Sequence, residues 1–178
     1  MNPPRSFRTE RLLVRKPDDA DAPDIFAYAT DPEVSRFLPW TPHRNIEETR
    51  GFLKRCHEVW KDATAYPYVI RHHAAEAVIG MLEFRPQAHK VELGYVLSRP
   101  YWGQGLMTEA LRPVVAWLQT QPQVYRIWAY HDVANLGSGG VLRKLGLRHE
   151  GRLGRYFQPA AASEPRDCEM YAWTRDPS

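Results

Sequence analysis

Residues 91–118, VELGYVLSRPYWGQGLMTEALRPVVAWL, join a strand pattern to a helix pattern through a turn that carries two glycines. Val91, Leu93, Tyr95 and Leu97 alternate with Glu92, Gly94 and Val96, the two-residue period of a strand. Ser98-Arg99-Pro100 breaks that period. From Leu106 onward, Leu106, Ala110, Leu111, Val114 and Leu118 share one face of a 3.6-residue period. The first amides of a helix have no intrahelical partner, and the macrodipole makes that end partly positive. Gly103 and Gly105 remove the side chains that would keep an anion from those donors. The stretch reads as a phosphate cradle.

Two nucleotide-binding patterns do not fit it. A P-loop requires Lys-Ser or Lys-Thr after its last glycine, and Gly105 is followed by Leu106 and Met107. A dinucleotide fingerprint requires a third glycine where Thr108 stands, and no acidic residue follows on a second parallel strand. On spacing alone, a plain strand-to-helix connection remains the alternative.

The rest of the chain supplies a mixed set of elements. Residues 8–16 read as an edge strand with Leu12 and Val14 on one face. Asp18, Asp19 and Asp21 offer cap and first-turn carboxylates to a helix through Ile25, Phe26 and Ala29, which Asp31-Pro32 ends or interrupts. Asn45 with Glu48 makes a capping-box pattern ahead of the stripe Ile46, Thr49, Phe52, Leu53, Cys56, Val59 and Trp60. Residues 66–71, 78–84 and 90–97 are three strands with short polar turns, an antiparallel meander. The helix read from Gly103 contains Pro113, where a kink is expected rather than a stop, because the apolar stripe continues. Residues 124–131 form a further strand. Val141, Leu142 and Leu145 then recur at helical spacing, with Gly146 as the C-cap. Residues 147–157 and 168–174 are the last two strands.

The run over residues 94–111, GYVLSRPYWGQGLMTEAL, resembles the pyrophosphate-binding motif of the GNAT acyltransferases, with Gly105 at its central glycine. Trp102 stands where that family usually has Gln or Arg, and Met107 where Gly or Ala is usual. The opening TERLLVRK and the pattern Asn135-x-x-Ser138-x-x-x-Leu142-x-Lys144-Leu145-Gly146 also resemble the family, and together they are similar to its RimJ/RimL-like branch, which acetylates ribosomal-protein N-termini. The resemblance covers nearly the whole chain. It implies one GNAT domain over residues 1–178, an α/β fold with a mixed, mostly antiparallel seven-strand sheet and about four helices. Acetyl-coenzyme A is the implied cosubstrate. The implied activity is transfer to a primary amine, first a protein N-terminal α-amine. Small-molecule amines and a non-catalytic acyl-coenzyme A sensor are the alternatives.

That chemistry needs placement, a neutral amine, a polarised carbonyl and a proton for the thiolate. The resemblance assigns the cofactor to the Val96 and Leu97 backbone, the turn residues Trp102, Gly103, Gln104, Gly105, Leu106, Met107 and Thr108, and Asn135. Arg99 and Arg143 are candidates for its phosphates, with solvated arginines as the plain alternative. Glu92 is the first candidate base and Glu83 the second, and Ser138 is the candidate acid. Trp40 and Tyr156 are candidates on the substrate side. Glu109 is expected to point away from the cradle, since a carboxylate aimed at a pyrophosphate repels it.

Composition adds bounds. The chain has 178 residues and a net charge of +3, with both signs interspersed, compatible with an anionic cosubstrate and too weak to argue for nucleic acid. Cys56 and Cys168 are far apart and lack metal spacing, which favours reduced thiols in a cytoplasmic protein and no metal; a monomer or a homodimer is expected. No apolar run reaches the length of a membrane span.

Overall fold

The computed structural model of the chain describes residues 1–176. Its sheet contains β1 (Ser6–Arg8), β2 (Leu12–Arg15), β3 (Tyr66–His72), β4 (Ala77–Gln87), β5 (Lys90–Leu97), β6 (Arg126–Asp132), β7 (Arg148–Phe157) and β8 (Arg166–Thr174). Their spatial order is β1-β2-β3-β4-β5-β6-β8-β7. The helices are α1 (Ala22–Ala29), α2 (Pro32–Ser35), α3 (Ile46–Lys61), α4 (Leu106–Thr120) and α5 (Leu136–Lys144). All neighbouring strands are antiparallel except β5 and β6.

Among the described residues there are thus eight strands and five helices rather than seven and four. Residues 8–16 are not one strand but the turn and second arm of a hairpin. The Leu12 amide donates to the Thr9 hydroxyl at 3.0 Å and the Thr9 amide to the Leu12 carbonyl at 2.9 Å, reversing the chain. The added helix is α2. Asp31 accepts the Glu33 amide at 2.9 Å with Pro32 in the first turn, so Asp31-Pro32 starts a helix as well as ending one.

The expected caps are present with one shift. Asn45 accepts the Glu48 amide at 3.2 Å, but Glu48 reaches back to the Arg44 amide at 3.0 Å instead of that of Asn45. Helix α4 starts at Leu106, three residues after the expected Gly103, because Gly103 and Gly105 hold φ of 74° and 77°. It runs through Pro113 to Thr120. Leu106, Ala110, Leu111, Val114 and Leu118 are all fully buried, and that continuous apolar seam offsets the lost hydrogen bond at the proline.

Two cores lie on opposite faces of the sheet. Tyr66, Tyr68 and Ile70 of β3 share one with α4, while Val69 shares the other with α1 and α3. Along β4 the alternation slips by one residue. Leu82 and Phe84 face α4 and Met81 faces α1, yet Ile79 again faces α4. The slip coincides with a bulge opposite Ile70 and Arg71, a feature that sharpens local twist. Gly80 lies beside it. A Cβ there would stand 2.4 Å from the Val96 carbonyl oxygen and 3.0 Å from the Leu97 Cα. The β4 and β5 backbones can approach this closely only over a glycine.

On its other side β5 departs from β6 early. The parallel pairing covers Lys90 with Arg126, Val91 with Ile127 and Glu92 with Trp128, then stops. Past those pairs the two strands splay, and residues 94–97 of β5 are left unpaired on that side. The result is a wedge in the middle of the sheet.

A second close approach anchors α5. A Cβ on Gly139 would meet the His131 ring at 2.6 Å from Nε2 and 3.0 Å from Cε1. His131 is buried at the end of β6, stacked on Tyr171, with Nδ1 2.8 Å from the Asp132 carbonyl and no partner for Nε2. Its ring cannot easily retreat. A Cβ on Gly140 would meet nothing within 4 Å.

These contacts set two expected outcomes in urea unfolding of the unliganded protein. Gly80→Ala should destabilise by about 1–3 kcal/mol through overpacking, whereas Gly154→Ala, where a Cβ meets nothing within 4 Å, should stay within about 0.5 kcal/mol of the parent. An unchanged midpoint for Gly80→Ala would mean that the two strands need no such contact. Gly140→Ala should stabilise by up to about 1 kcal/mol through helix propensity, and Gly139→Ala should destabilise despite the same propensity gain. Equal gains at both positions would remove the packing role assigned to His131.

Candidate active site

The wedge lies between two cavities. The first, about 380 Å³, is lined by Trp40, His43, Phe52, Glu83, Arg85, Glu92 and Tyr130 among others. The second, about 580 Å³, is lined by Leu97, Trp102, Gly103, residues 105–108, Ser138 and Lys144 among others. Phe37, Leu38, Tyr95, Val96 and Asn135 line both, so the cavities meet at the free edge of β5. Trp102 and Leu136, two of the most exposed large apolar side chains, flank the second cavity. Such exposed apolar groups beside a concave site suit a ligand that covers them.

The second cavity contains the glycine turn. Gly105 is the N-cap of α4 and has no side chain to accept from the first-turn amides. Leu106, Met107 and Thr108 therefore present uncapped backbone donors beside the cavity, at the positive end of a 15-residue helix. The space is open: a Cβ on Gly103 would touch nothing within 4 Å. This arrangement fits a pyrophosphate.

Glu109, in the same first turn, faces the β1–β2 hairpin as expected. It accepts from the Thr9 hydroxyl at 2.6 Å, the Arg11 amide at 2.9 Å and the Arg11 guanidinium at 2.7 Å. Burial opposes its ionisation, but the bonds from Thr9 and Arg11 outweigh it and hold the carboxyl below its ordinary range. Arg11 also reaches the Gln104 carbonyl at 3.3 Å, tying the turn to the hairpin.

The edge of β5 supplies backbone groups. The Ser98 amide donates to the Ile79 carbonyl at 2.8 Å, on the β4 side. By alternation the peptide groups of Leu97 face the other way, into the wedge. Its carbonyl accepts the Trp102 indole N–H at 2.7 Å, and its amide is left facing the wedge. Trp102 thus fixes the turn against the strand.

Helix α5 starts where the Asn135 side chain accepts the Ser138 amide at 3.2 Å. The Ser138 hydroxyl lies 2.6 Å from the Tyr95 phenol oxygen. Burial raises the Tyr95 phenol above its ordinary range, partly opposed by that hydrogen bond.

On the other side, Arg85 lies between two carboxylates. It pairs with Glu83 and stands 3.3 Å from Glu92. Burial raises the Glu83 carboxyl, with Arg85 opposing and Glu92 reinforcing. Trp40 packs 5.6 Å from His43, whose Nδ1 lies 2.7 Å from the Thr49 hydroxyl and whose basicity burial lowers.

Four expected site residues have their side chains engaged elsewhere. Arg99 pairs with Asp31 at 3.1 Å, and Arg143 donates to the Tyr171 hydroxyl at 3.1 Å. Gln104 folds back on the Pro100 carbonyl at 2.9 Å. Tyr156 stacks edge-on against Tyr130 at 5.0 Å, and it is Tyr130 and Phe157 that line the first cavity. Conversely, Lys144 lines the second cavity and Tyr95 both, although the sequence reading gave neither a role. Lys144 was visible in the motif as its lysine. Tyr95 carried no signal beyond its strand position.

The cysteines lie outside both cavities. Burial pushes Cys56 up to about 12 and Cys168 up to about 11, so both stay thiols at neutral pH. Among the described residues no three His, Cys, Asp or Glu side chains converge on one point, and no helix is long and apolar enough to cross a membrane.

Comparison with known proteins agrees with this geometry. The family described as acetyltransferase (GNAT) domain matches residues 11–148. The chain is 31% identical over 153 residues to the [ribosomal protein uS5]-alanine N-acetyltransferase of Escherichia coli, covering 80% of this chain and 78% of that one. It is 29% identical over 151 residues to the N-acetyltransferase p20 of Bacillus licheniformis, covering 83% and 85%. A solved ribosomal L7/L12 α-N-protein acetyltransferase, RimL, in complex with coenzyme A, superposes with a TM-score of 0.82 at 21% identity over 93% and 95% of the two chains. With uncapped amides, an unpaired strand edge and a family match over most of its length, the chain belongs to the GNAT acetyltransferases and is an acetyl-CoA-dependent N-acetyltransferase.

Proposed function

We propose that the acceptor is the N-terminal α-amine of a protein, and that the acetyl group passes to it at the junction of the two cavities. The meeting of both cavities at Tyr95, Val96 and Asn135 is the observation that carries this reading. Acetyl-CoA supplies an activated acetyl group on a thiol leaving group. Amides of residues 105–108 bind its pyrophosphate, and Lys144 adds charge where Arg99 and Arg143 are otherwise engaged. The unpaired edge of β5 accepts the extended arm as a strand partner. The Leu97 amide donates to the thioester carbonyl.

The acceptor enters from the first cavity, between Trp40 and Tyr130. Glu92 takes the amine proton, directly or through a water, while Glu83 and Arg85 set its surroundings. Tyr156 acts one layer back, by holding Tyr130. Ser138 gives its proton to the departing thiolate. Both thiols being protonated and outside the two cavities, transfer is direct, without an acyl-enzyme. A protein α-amine suits this equipment, since its pKa of about 7.7–8.0 makes it far easier to deprotonate than a lysine at about 10.4. The identity to the uS5-alanine enzyme supports the same class.

Two measurements test the reading. Thiol release from acetyl-CoA should occur with peptides that begin with alanine or serine, should stop when their α-amine is blocked, and kcat/KM should rise with pH through about 7.7–8.0. Turnover confined to free small amines would overturn the acceptor assignment. In calorimetry, Gly105→Glu should weaken acetyl-CoA binding by roughly tenfold or more, because it puts a carboxylate in the anion cradle, where like charges repel. Unchanged affinity would place the pyrophosphate elsewhere.

A further inference from the structure

The Tyr95 hydroxyl reaches from the free edge of β5 to the start of α5 at Ser138. Its oxygen lies 2.6 Å from Ser138 Oγ and 3.2 Å from the Ser138 carbonyl oxygen. The phenol has one proton to give. The Ser138 carbonyl, four residues before Leu142 within α5, already has the helix amide as its donor. The carbonyl keeps a second lone pair, but it lies farther from the phenol, and the 2.6 Å contact to Ser138 Oγ is taken as the one in which the phenol donates. Burial keeps the phenol protonated, so it stays a donor.

With the phenol as donor, the direction of the remaining proton follows. A serine hydroxyl carries one proton and can accept two. With Tyr95 occupying an acceptor position, the Ser138 proton is left to turn into the second cavity. The Asn135 side chain holds the Ser138 amide at 3.2 Å, so the backbone under the hydroxyl is fixed as well. Tyr95 also lines both cavities, at the place where the acyl carbon must pass between them.

We infer that Tyr95 is a positioning residue for the acetyl transfer: its hydroxyl donates to Ser138 Oγ and aims the serine proton at the leaving sulfur. The inference rests on the reading of Ser138 as the proton donor. In the step itself the amine nitrogen bonds to the acyl carbon as the carbon–sulfur bond breaks. The electron pair of that bond goes to sulfur, which takes the Ser138 proton. The proton shed by the amine passes through Glu92 to solvent, and a proton from solvent restores Ser138. Tyr95 keeps its own proton throughout.

The test is a cycle of Tyr95→Phe, Ser138→Ala and the double variant in the full-length protein. Thiol release from acetyl-CoA is followed with an alanine-initial peptide and with water alone. The same thiolate leaves whichever nucleophile attacks, so the outcome does not depend on the acceptor. Tyr95→Phe should lower kcat about tenfold, a loss of one aimed hydrogen bond, with KM for acetyl-CoA and the unfolding midpoint little changed. Ser138→Ala should lower kcat further, and adding Tyr95→Phe to it should cost nothing more. Three results overturn the inference: wild-type kcat in Tyr95→Phe, a double variant whose losses multiply, or a loss in KM rather than kcat. Wild-type turnover in Ser138→Ala would defeat the proton-donor reading first, and a loss in Tyr95→Phe alongside it would give the phenol a different task.

Discussion

The parting of β5 from β6 after three residue pairs is the constraint on which the site depends. Unpaired backbone groups inside a sheet are costly, so a chain keeps such an edge only when something else takes up its donors. Parallel strands also need a crossover, and here the crossover is α4. A crossover helix begins where the first strand ends, so the N-terminus of α4 opens at the mouth of the wedge. The chain then leaves β6 into α5, whose first turn opens on the opposite lip. One topological choice thus places two helix starts around one gap, the anion cradle on one side and Asn135 with Ser138 on the other.

The gap is backed by contacts from the elements that flank it. Gly80 lets β5 lean onto β4, and the β4 bulge adds twist in the same place. Arg11 and Thr9 occupy Glu109, so the negative charge in the first turn of α4 is matched by donors from the β1–β2 hairpin rather than facing the cradle. The sign of that arrangement is definite. A carboxyl held below its ordinary value adds stability above its unfolded pKa and loses it as pH falls through the folded one. The hairpin that secures the cradle is therefore firmest at neutral pH.

Much of this was legible in the sequence because it is periodic or local. The α4 stripe, the glycine turn, the antiparallel meander and the Asn45 cap depend on residues close in the chain, and each appears where the spacing put it. The β1–β2 hairpin was not legible, since a strand-like alternation does not show that the Thr9 hydroxyl will reverse the chain. Arg99 and Arg143 could not be placed, because Asp31 and Tyr171, the groups that hold them, are distant in sequence. Tyr95 illustrates the same limit. Period-2 spacing tells which face of β5 a residue occupies, not that this side chain will reach the first turn of α5.

The two cysteines bear on the direct transfer proposed for the wedge. With pKa values near 12 and 11, Cys56 and Cys168 present roughly one thiolate in 10⁴–10⁵ at neutral pH. Neither buried thiol is then a ready carrier for the acetyl group, which accords with the proposed meeting of donor and acceptor. That meeting accounts for the form of the site better than any single side chain does. A covalent relay could use separate chambers visited in turn, with a mobile carrier between them. Direct transfer needs two chambers that share a wall thin enough for one acyl carbon to be reached from both sides, and residues on that wall that touch both. Here the wall is the free edge of β5, with Glu92 in the chamber on one side and Ser138 in the chamber on the other. In the proposed reaction the amine proton and the proton for the sulfur would then travel on opposite sides of that wall, and neither would have to pass the other.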